Sequence, residues 1–443
     1  MQPLPCWRSR CAVRAIHRCA MPKRRNAIYA LIIACLFGGL TTGRTFFFSL
    51  AYMFGLLLIL ACLWSWLSVN NVRIARNTRA RRAQVGKTLD EYFTVQSSSL
   101  LPKLWLEVRD YSTLPAHRAS TIVPTLQPRG AYRWSVHTPC ALRGEFRLGG
   151  LTLISGDPFG LYQATRHIPA TSSVLVYPAI VQLADFHLPG GILSGGDAQR
   201  QRAYFVTTNA AGIRDYAPGD GFSRIHWRST ARKDKLIVKE FELDPLAELW
   251  IMLDLSAAAH VSRPYHVEGV AEGEIFLPPD SAEYAIALAA SLSSHFLVKE
   301  RALGFLAHTP HRNAMQPDRG ARQLTRILET LALAKVESDL PFAQVISLEG
   351  HYLSRGATAI LISADMSDGW LAEAHLLVRR GVQVIAVLID PHSFGVGLSG
   401  RNAEETRARL EIGGVTTYLV RYGDNLSMAL SRANLRLPSR AVW

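Results

Sequence analysis

The sequence predicts three parts in succession: a transmembrane α-helical hairpin near the N-terminus, a membrane-proximal domain like a β-sandwich, and a C-terminal α/β domain with a mostly parallel sheet. Two uncharged apolar runs predict the hairpin, and short strands separated by turn residues predict the β-rich domain. Apolar strands alternating with amphipathic helices predict the α/β domain. The 443 residues suffice for two or three domains, and a hydrophobic content of 49% excludes wholesale disorder.

The net charge of +14 is concentrated at the N-terminus. Residues 1–82 contain 13 Lys or Arg and no Asp or Glu, whereas residues 83–443 contain 36 basic and 35 acidic side chains. A nucleic-acid-binding protein would carry its excess charge on a folded surface, so we expect no nucleic acid partner. Five of the six cysteines also precede residue 83, which leaves Cys140 alone and excludes a disulfide scaffold or a thiolate metal site.

The two apolar runs have suitable lengths for membrane spans. Residues 27–43 and Thr45–Val69 reach about 25 Å and 37 Å as helices, against a hydrocarbon core of about 30 Å. Seven basic residues precede the pair, five follow it, and only Arg44 lies between the two runs. Because positive charge stays on the cytoplasmic side, we expect a multi-pass protein with both termini in the cytoplasm and Arg44 outside.

A signal peptide is the alternative to the hairpin. Its basic start fits, but no small-x-small cleavage site precedes a soluble domain, and a longer apolar run follows instead. Met21 and the basic residues after it would also make a normal start for a hairpin. The sequence therefore leaves open whether translation begins at Met1 or at Met21.

The remaining chain divides by pattern. Short apolar runs and turn signals such as Asp157-Pro158-Phe159-Gly160 are typical of a small sandwich, and the segment after it is expected to be an exposed, glycine-rich connector. Later apolar strands alternate with helices, which implies a mostly parallel sheet covered on both faces. The predicted parts are a basic N-terminal segment (1–26), the hairpin (27–69), a basic juxtamembrane segment (70–83), the β-rich domain (84–180), the connector (181–245) and the α/β domain (246–436).

Within the α/β domain the apolar periodicity predicts individual elements. The expected strands are residues 249–255, 303–307, 357–363, 382–390 and 416–422, and the expected helices are residues 282–298, 319–334, 369–380, 403–411 and 426–434.

Common catalytic signatures do not occur in the sequence: it has no G-x-x-x-x-G-K-[ST], no H-E-x-x-H and no G-x-S-x-G. We therefore expect no enzyme and name no catalytic residue. One dense constellation remains, a turn at Pro218-Gly219-Asp220 followed by a basic segment. In that segment Ile225 and Trp227 are predicted to point the same way on an extended chain.

Two interpretations of this constellation differ in the place of Trp227. In a structural clamp, Arg214, Asp220 and Arg232 pair across the turn while Trp227 fills a core. In a partner-binding surface, exposed Arg and Trp side chains form an interaction hot spot, since these residue types are enriched there. Residue chemistry alone favours the clamp.

The constellation strongly resembles the signature of the DUF58 family of bacterial and archaeal proteins, R-x-Y-x-x-G-D-x-x-R-x-I-x-W-x-x-x-A-R followed by an apolar strand. Ser223 stands where that signature has Arg, and Arg224 follows it. The candidate partner-binding or structural residues are Arg214, Tyr216, Gly219, Asp220, Arg224, Ile225, Trp227 and Arg232.

The resemblance implies a function as well as a family. Its members resemble von Willebrand factor A proteins at the C-terminal end and are commonly encoded beside a MoxR-type AAA+ ATPase. It therefore implies a membrane-anchored cytoplasmic scaffold or adaptor that partners such an ATPase in assembling or remodelling a membrane or envelope complex. Other membrane proteins and the lipid bilayer are the further expected partners, in a bacterial or archaeal cell membrane. The alternatives are a hydrolase using carboxylates near Asp254 and Asp365, or a divalent-metal-dependent adhesion module.

The resemblance also implies a candidate metal site. In a von Willebrand A fold the first strand ends in D-x-S-x-S, whose oxygens bind Mg²⁺ with a carboxylate from a later loop. Asp254 and Ser256 match this pattern, Ala258 replaces the second Ser, and Asp365 stands for the distal carboxylate. Because Mg²⁺ demands near-octahedral oxygen ligands, we expect this degenerate site to bind Mg²⁺ weakly or not at all. The favoured alternative is that Asp254 caps the strand end, and no other cofactor is expected.

Overall fold

Two units make up the part of the chain that the computed structural model describes, which is residues 22–183, 186, 210–215, 225–233, 235–241, 248–267, 270–309, 311–395 and 402–431. The β unit holds the described residues up to Ala179 together with His266–Phe276. The α/β unit holds the described residues of Ile180–Tyr265 and those from Leu277 onward. The segment predicted as a connector therefore groups with the α/β unit.

The β unit begins with two long helices, α1 (Pro22–Thr42) and α2 (Thr45–Val69). Gly43, with a φ of +68°, and Arg44 form the short turn between them. Spans of 19 and 25 residues, with mean hydropathy of 1.3 and 2.4, are long and apolar enough to cross a membrane, which indicates membrane association.

Two sheets with mainly antiparallel pairing follow the helices. One has the order β1-β3-β6 and the other β2-β8-β7-β4-β5, in which only the contact between β2 and β8 is parallel. The strands are β1 (Val72–Thr78), β2 (Arg82–Gln84), β3 (Thr88–Ser97), β4 (Lys103–Asp110), β5 (Thr121–Leu126), β6 (Ala131–Pro139), β7 (Gly144–Gly156) and β8 (Gln163–Tyr177). Strand pairing thus starts inside the segment predicted to be a basic juxtamembrane stretch.

Both sheets contribute to one apolar core. Alternation along β3 turns Phe93 and Val95 inward, where they pack in the same cluster as Leu106 of β4 and Leu153 of β7. The buried Lys103 of β4 donates to the carbonyl oxygens of Leu67 and Asn70 at the end of α2. These bonds satisfy carbonyls that a helix end leaves unpaired, so α2 is fixed to the sheet.

The α/β unit contains a six-stranded sheet with the order β13-β12-β11-β14-β15-β16. Its pairs are parallel except for the edge strand β13, which is antiparallel to β12. A separate antiparallel pair, β9 and β10, precedes it. The strands are β9 (Ala210–Asp215), β10 (Ile237–Phe241), β11 (Leu249–Leu253), β12 (Leu303–His308), β13 (Arg312–Asp318), β14 (Thr358–Ser363), β15 (Gln383–Ile389) and β16 (Thr416–Val420).

Helices alternate with these strands. They are α3 (Trp227–Lys233), α4 (Ser281–Val298), α5 (Gly320–Leu333), α6 (Phe342–Glu349), α7 (Asp368–Arg379), α8 (Ala403–Ile412) and α9 (Leu426–Ala429). Every residue of β11, β12 and β14 is buried, as expected for central parallel strands. Packing between the central strands is close at Gly304 of β12, where a Cβ would lie 2.6 Å from the ring of Trp250 on β11.

Candidate functional site

The antiparallel pair β9 and β10 positions the described part of the signature. Arg214 pairs with Val238 in this ladder, and Ile225 forms an isolated bridge with the same Val238. The His226 N–H donates to the Ile237 carbonyl at 2.8 Å, and the Ile237 N–H donates to the Thr230 hydroxyl at 3.1 Å. Helix α3 is therefore attached to β10 by backbone and side-chain bonds.

Trp227 is exposed, with 65% of its surface accessible, whereas Ile225 is buried at 4%. The prediction that both side chains point the same way on an extended segment is wrong, because the chain turns into a helix at Trp227. The ring Nδ1 of His226 accepts from the Ser229 N–H at 3.1 Å and so supports the first helical turn. The structural clamp in which Trp227 fills a core is therefore wrong in that respect.

The remaining signature residues are only partly described. Arg232 is exposed on α3, as is Arg228. The backbone of Arg214 lies in β9. Tyr216, Gly219, Asp220 and Arg224 lie outside the described residues, so the predicted pairing of Arg214, Asp220 and Arg232 stays a prediction.

The second candidate site lies at the carboxyl ends of β11 and β14. These strands are neighbours where the strand order reverses, the place at which open α/β sheets usually bind ligands. Asp254 follows β11, Ser363 ends β14, and the Asp254 N–H donates to the Ile362 carbonyl at 2.9 Å. The fold thus brings the segment after β11, which holds Asp254, next to the segment after β14, which holds Asp365.

Asp254 is 2% exposed and fully engaged by neighbouring donors. Its Oδ1 accepts from the Ser256 N–H at 2.9 Å and the Ser256 hydroxyl at 2.7 Å, and its Oδ2 accepts from the Ser363 hydroxyl at 2.6 Å. Burial raises the pKa of the Asp254 carboxyl above its ordinary value; the charge of His260 and the hydrogen bonds from Ser363 and Ser256 offset part of that effect.

Asp365 is joined to Asp254 through Ser363. The Asp365 N–H donates to the Ser363 hydroxyl at 2.9 Å, while the Asp365 carboxylate accepts from the N–H and hydroxyl of Ser367 at 2.8 and 2.7 Å. Sequence analysis missed Ser363. Its signal was a hydroxyl residue at the carboxyl end of an otherwise apolar strand.

The side-chain oxygens near Asp254 are poorly arranged to bind a cation. Both oxygens of Asp254 already accept hydrogen bonds, and Ala258 offers no side-chain oxygen where the second Ser of the pattern stands. Within the described ranges, no group of three or more His, Cys, Asp or Glu side chains is arranged to hold a metal ion. A cation would have to bind a carboxylate whose two oxygens already accept three hydrogen bonds, so the geometry fits a strand-end cap better.

A buried ionic cluster in the β unit was also missed. Arg76 of β1 donates from Nε and Nη2 to the two carboxylate oxygens of Glu91, each at 2.9 Å, and from Nη1 to Asp110 at 3.3 Å. The His117 ring lies 3.1 Å from Asp110 and 3.3 Å from Glu91. This cluster joins the two sheets, because β1 and β3 belong to one and β4 to the other.

Opposing effects set the pKa of Asp110 in this cluster. Burial raises it, but hydrogen bonds with His117 and Ser112 and the charges of Arg76 and His117 together outweigh burial. The pKa of Asp110 therefore lies below its ordinary value, and the ionised form is stabilised by folding.

Comparison with known proteins gives one family match and one curated relative. Residues 212–396 match the family described as "Protein of unknown function DUF58". The "Uncharacterized protein YeaD" of Bacillus subtilis (strain 168) is 24% identical over 251 residues, which are 56% of this chain and 56% of that protein. The chain thus spans about half the length of this relative.

Solved structures resemble smaller parts of the chain. The CARDB domain of the PF1109 protein from Pyrococcus furiosus is 13% identical, with a TM-score of 0.18, and the match covers 24% of this chain and 86% of that domain. The cupredoxin domain of amoB from Nitrosocaldus yellowstonii is 9% identical, with a TM-score of 0.18, covering 25% and 89%. By sequence, the chain is similar to the DUF58 family from β9 through β15, the part that holds both the signature and the Asp254 site.

Proposed function

We propose that this protein is a membrane-anchored cytoplasmic scaffold or adaptor that offers helix α3 to a partner protein. The partner is a MoxR-type AAA+ ATPase acting in the assembly or remodelling of a membrane or envelope complex. The observation that carries the proposal is the 65% exposure of Trp227 at the start of α3, inside the stretch that matches the family. Trp and Arg are among the residue types most enriched at the positions that dominate binding energy, and Arg228 follows Trp227 directly.

The positive charge of α3 indicates which kind of partner surface it fits. Arg228, Arg232 and Lys233 are exposed on the helix, which contains no acidic residue. A complementary surface is acidic and has an apolar recess for the indole ring. Complementary charge of this kind speeds encounter and suppresses wrong partners.

The α/β unit supports a von Willebrand A-like arrangement as part of the proposal. Numbered from β11 onward in chain order, its strands lie in the order 3-2-1-4-5-6, which is the classic order of doubly wound folds. Asp254 and Ser256 then stand at the end of the first strand, at the switch point. The resemblance to the family supplies the rest of this assignment.

The hydrolase alternative needs a carboxylate that substrate can reach. Asp254 is 2% exposed and accepts three hydrogen bonds, so its oxygens are occupied by the fold. This observation favours a structural role for Asp254 and leaves Asp365, which is half-buried, as the carboxylate that a substrate could reach.

Co-purification tests the proposal. The tagged full chain is isolated in detergent from membranes of cells that express the MoxR-type ATPase encoded beside it, and the captured ATPase is quantified. Trp227→Ala should weaken binding of the ATPase about 30-fold, the loss of a binding hot spot of about 2 kcal/mol. Ile412→Ala is the matched control, because Ile412 is 80% exposed in the same unit but lies outside the family match. Equal capture by Trp227→Ala and the unaltered chain would overturn the role of α3.

A further inference from the structure

A cavity of about 610 Å³ lies beside α2, where α1 and α2 meet Tyr162 and the start of β8. Its volume falls within the range of about 300–1,000 Å³ typical of small-molecule sites. The walls are predominantly apolar and include Tyr29, Gly55, Ile59, Leu63 and Tyr162.

The cavity opens on a face of α2 that nothing else in the described chain covers. Ile59 and Leu63, which line it, are 65% and 49% exposed. In a membrane-spanning helix such a face contacts lipid, because large apolar side chains are favourable there. An occupant would therefore enter from the bilayer.

A polar and positively charged group lies beside the cavity, at the wall residues Tyr29 and Tyr162. The hydroxyl groups of Tyr29 and Tyr162 lie 3.4 Å apart, and the Arg25 guanidinium lies 5.9 and 5.8 Å from the centres of their rings. The Arg25 Nε is buried without a hydrogen-bond acceptor, and no carboxylate among the described residues pairs with Arg25. A buried donor without an acceptor costs free energy, which an anionic group at this place would recover.

The position of Arg25 suits a lipid headgroup. Arg25 lies in the first turns of α1, at the end of the hairpin that also holds the C-terminus of α2, whereas Gly55 lies near the middle of α2. The cavity thus runs from the level of a membrane surface toward the middle of a span. Its apolar length and charged end match the acyl chain and phosphate of one phospholipid.

We propose that this cavity binds one anionic phospholipid, with an acyl chain along α2 and the headgroup phosphate at Arg25, Tyr29 and Tyr162. The site goes beyond the proposed function and is independent of any protein partner. It requires only that α1 and α2 lie in a membrane.

Native mass spectrometry of the delipidated full chain in detergent tests the charged end of the site. The protein is titrated with dioleoyl phosphatidylglycerol and, separately, with dioleoyl phosphatidylcholine, which has the same chains and no net charge. We expect one phosphatidylglycerol to bind about fivefold more tightly, as one basic residue near a membrane surface contributes about 1 kcal/mol. Arg25→Gln should abolish this preference. Arg44→Gln is the matched control, since it removes the same charge at the opposite end of the hairpin.

A second variant tests the apolar part without disturbing the fold. A Cβ at Gly55 meets no atom within 4 Å, so the side chain in Gly55→Leu extends into open space and occupies the cavity. This variant should lose the tightly bound lipid while remaining monodisperse. Equal affinity of the unaltered protein for both lipids, unchanged preference in Arg25→Gln, or a lipid-free dimer of the chain would each overturn the proposal.

Discussion

Replacing Ser363 by Ala should loosen the centre of the α/β sheet, because the Ser363 hydroxyl joins the ends of β11 and β14. The hydroxyl donates to Asp254 Oδ2 at 2.6 Å and accepts from the Asp365 N–H at 2.9 Å. Alanine keeps the backbone and removes both bonds. The buried Asp254 oxygen then lacks this donor, and water does not reach it readily at 2% exposure.

The expected loss follows from the two bonds. A hydrogen bond to a charged group contributes about 1.5–3 kcal/mol net, and one between neutral groups about 0.5–1.5 kcal/mol. Both bonds end on one hydroxyl, so their contributions are not additive and the loss lies near the lower end of the sum. We therefore expect the free energy of unfolding of this unit to fall by about 2 kcal/mol, a factor of about 30 in its opening equilibrium.

Hydrogen–deuterium exchange of the full chain in detergent measures this effect locally. Peptides from β11 and β14 should exchange up to about 30-fold faster in Ser363→Ala, since exchange reports the opening equilibrium when reclosing is faster than chemical exchange. Ser367→Ala is the matched control, because Ser367 is exposed and its hydroxyl bonds only to Asp365 among the described residues.

Unchanged exchange in Ser363→Ala would refute the strand-end cap. Slower exchange of β11 on addition of Mg²⁺, lost in Asp254→Asn, would instead show that a cation occupies the site. Without such binding, we expect EDTA to leave the exchange of these peptides unchanged.

Three further predictions concern other parts of the chain. Gly304→Ala should destabilise the α/β unit by about 1–3 kcal/mol in thermal unfolding, because the new Cβ would overlap the buried Trp250 ring; an unchanged melting temperature would contradict this packing. The contribution of Asp110 to the free energy of unfolding should be fully present above the unfolded pKa of about 3.9 and be lost as the pH falls through the lower pKa of the folded state. Denaturant unfolding at a series of pH values measures this, and in Asp110→Asn the loss of stability toward acid pH should be smaller. A reporter fused after Trp443 should be active only in its cytoplasmic form and one inserted at Arg44 only in its external form, whereas the reverse pattern would reject the proposed orientation.

The central strands of the α/β sheet could be predicted from sequence because burial on both faces leaves uninterrupted apolar runs. The edge strand β13 could not, since its residues from Arg312 to Asp318 are mostly polar and half exposed. Its strand conformation depends on pairing with β12, and that contact leaves little pattern in the local sequence.

Trp227 shows why the candidate site was only partly predictable. Seven residues from Trp227 to Lys233 are too few for periodicity to distinguish strand from helix. The helical conformation depends on hydrogen bonds with Ile237, which lies seven or more residues further along the chain. The His226 N–H donates to the Ile237 carbonyl, and the Ile237 N–H donates to the Thr230 hydroxyl. The residue types were recognised, but their exposure depended on this pairing.

The buried ionic cluster depended on contacts still more distant in sequence. Arg76 meets Glu91 because β1 pairs with β3, and it meets Asp110 because the two sheets share a core. No pattern in the local sequence distinguishes these buried charged residues from charged residues on a solvent-exposed face. The segment holding Arg76 was instead predicted as a basic flank of the membrane.

Site-specific photocrosslinking at position 227 shows which protein contacts helix α3 in the membrane. A photoreactive phenylalanine analogue replaces Trp227 in the full chain, with the same analogue at Ile412 as the control, and intact membranes are irradiated before the adducts are identified. We expect an adduct with the MoxR-type AAA+ ATPase from position 227, lost when Arg228 and Arg232 are changed to Glu, and none from position 412. No adduct with the ATPase from position 227, or equal adducts from both positions, would contradict it.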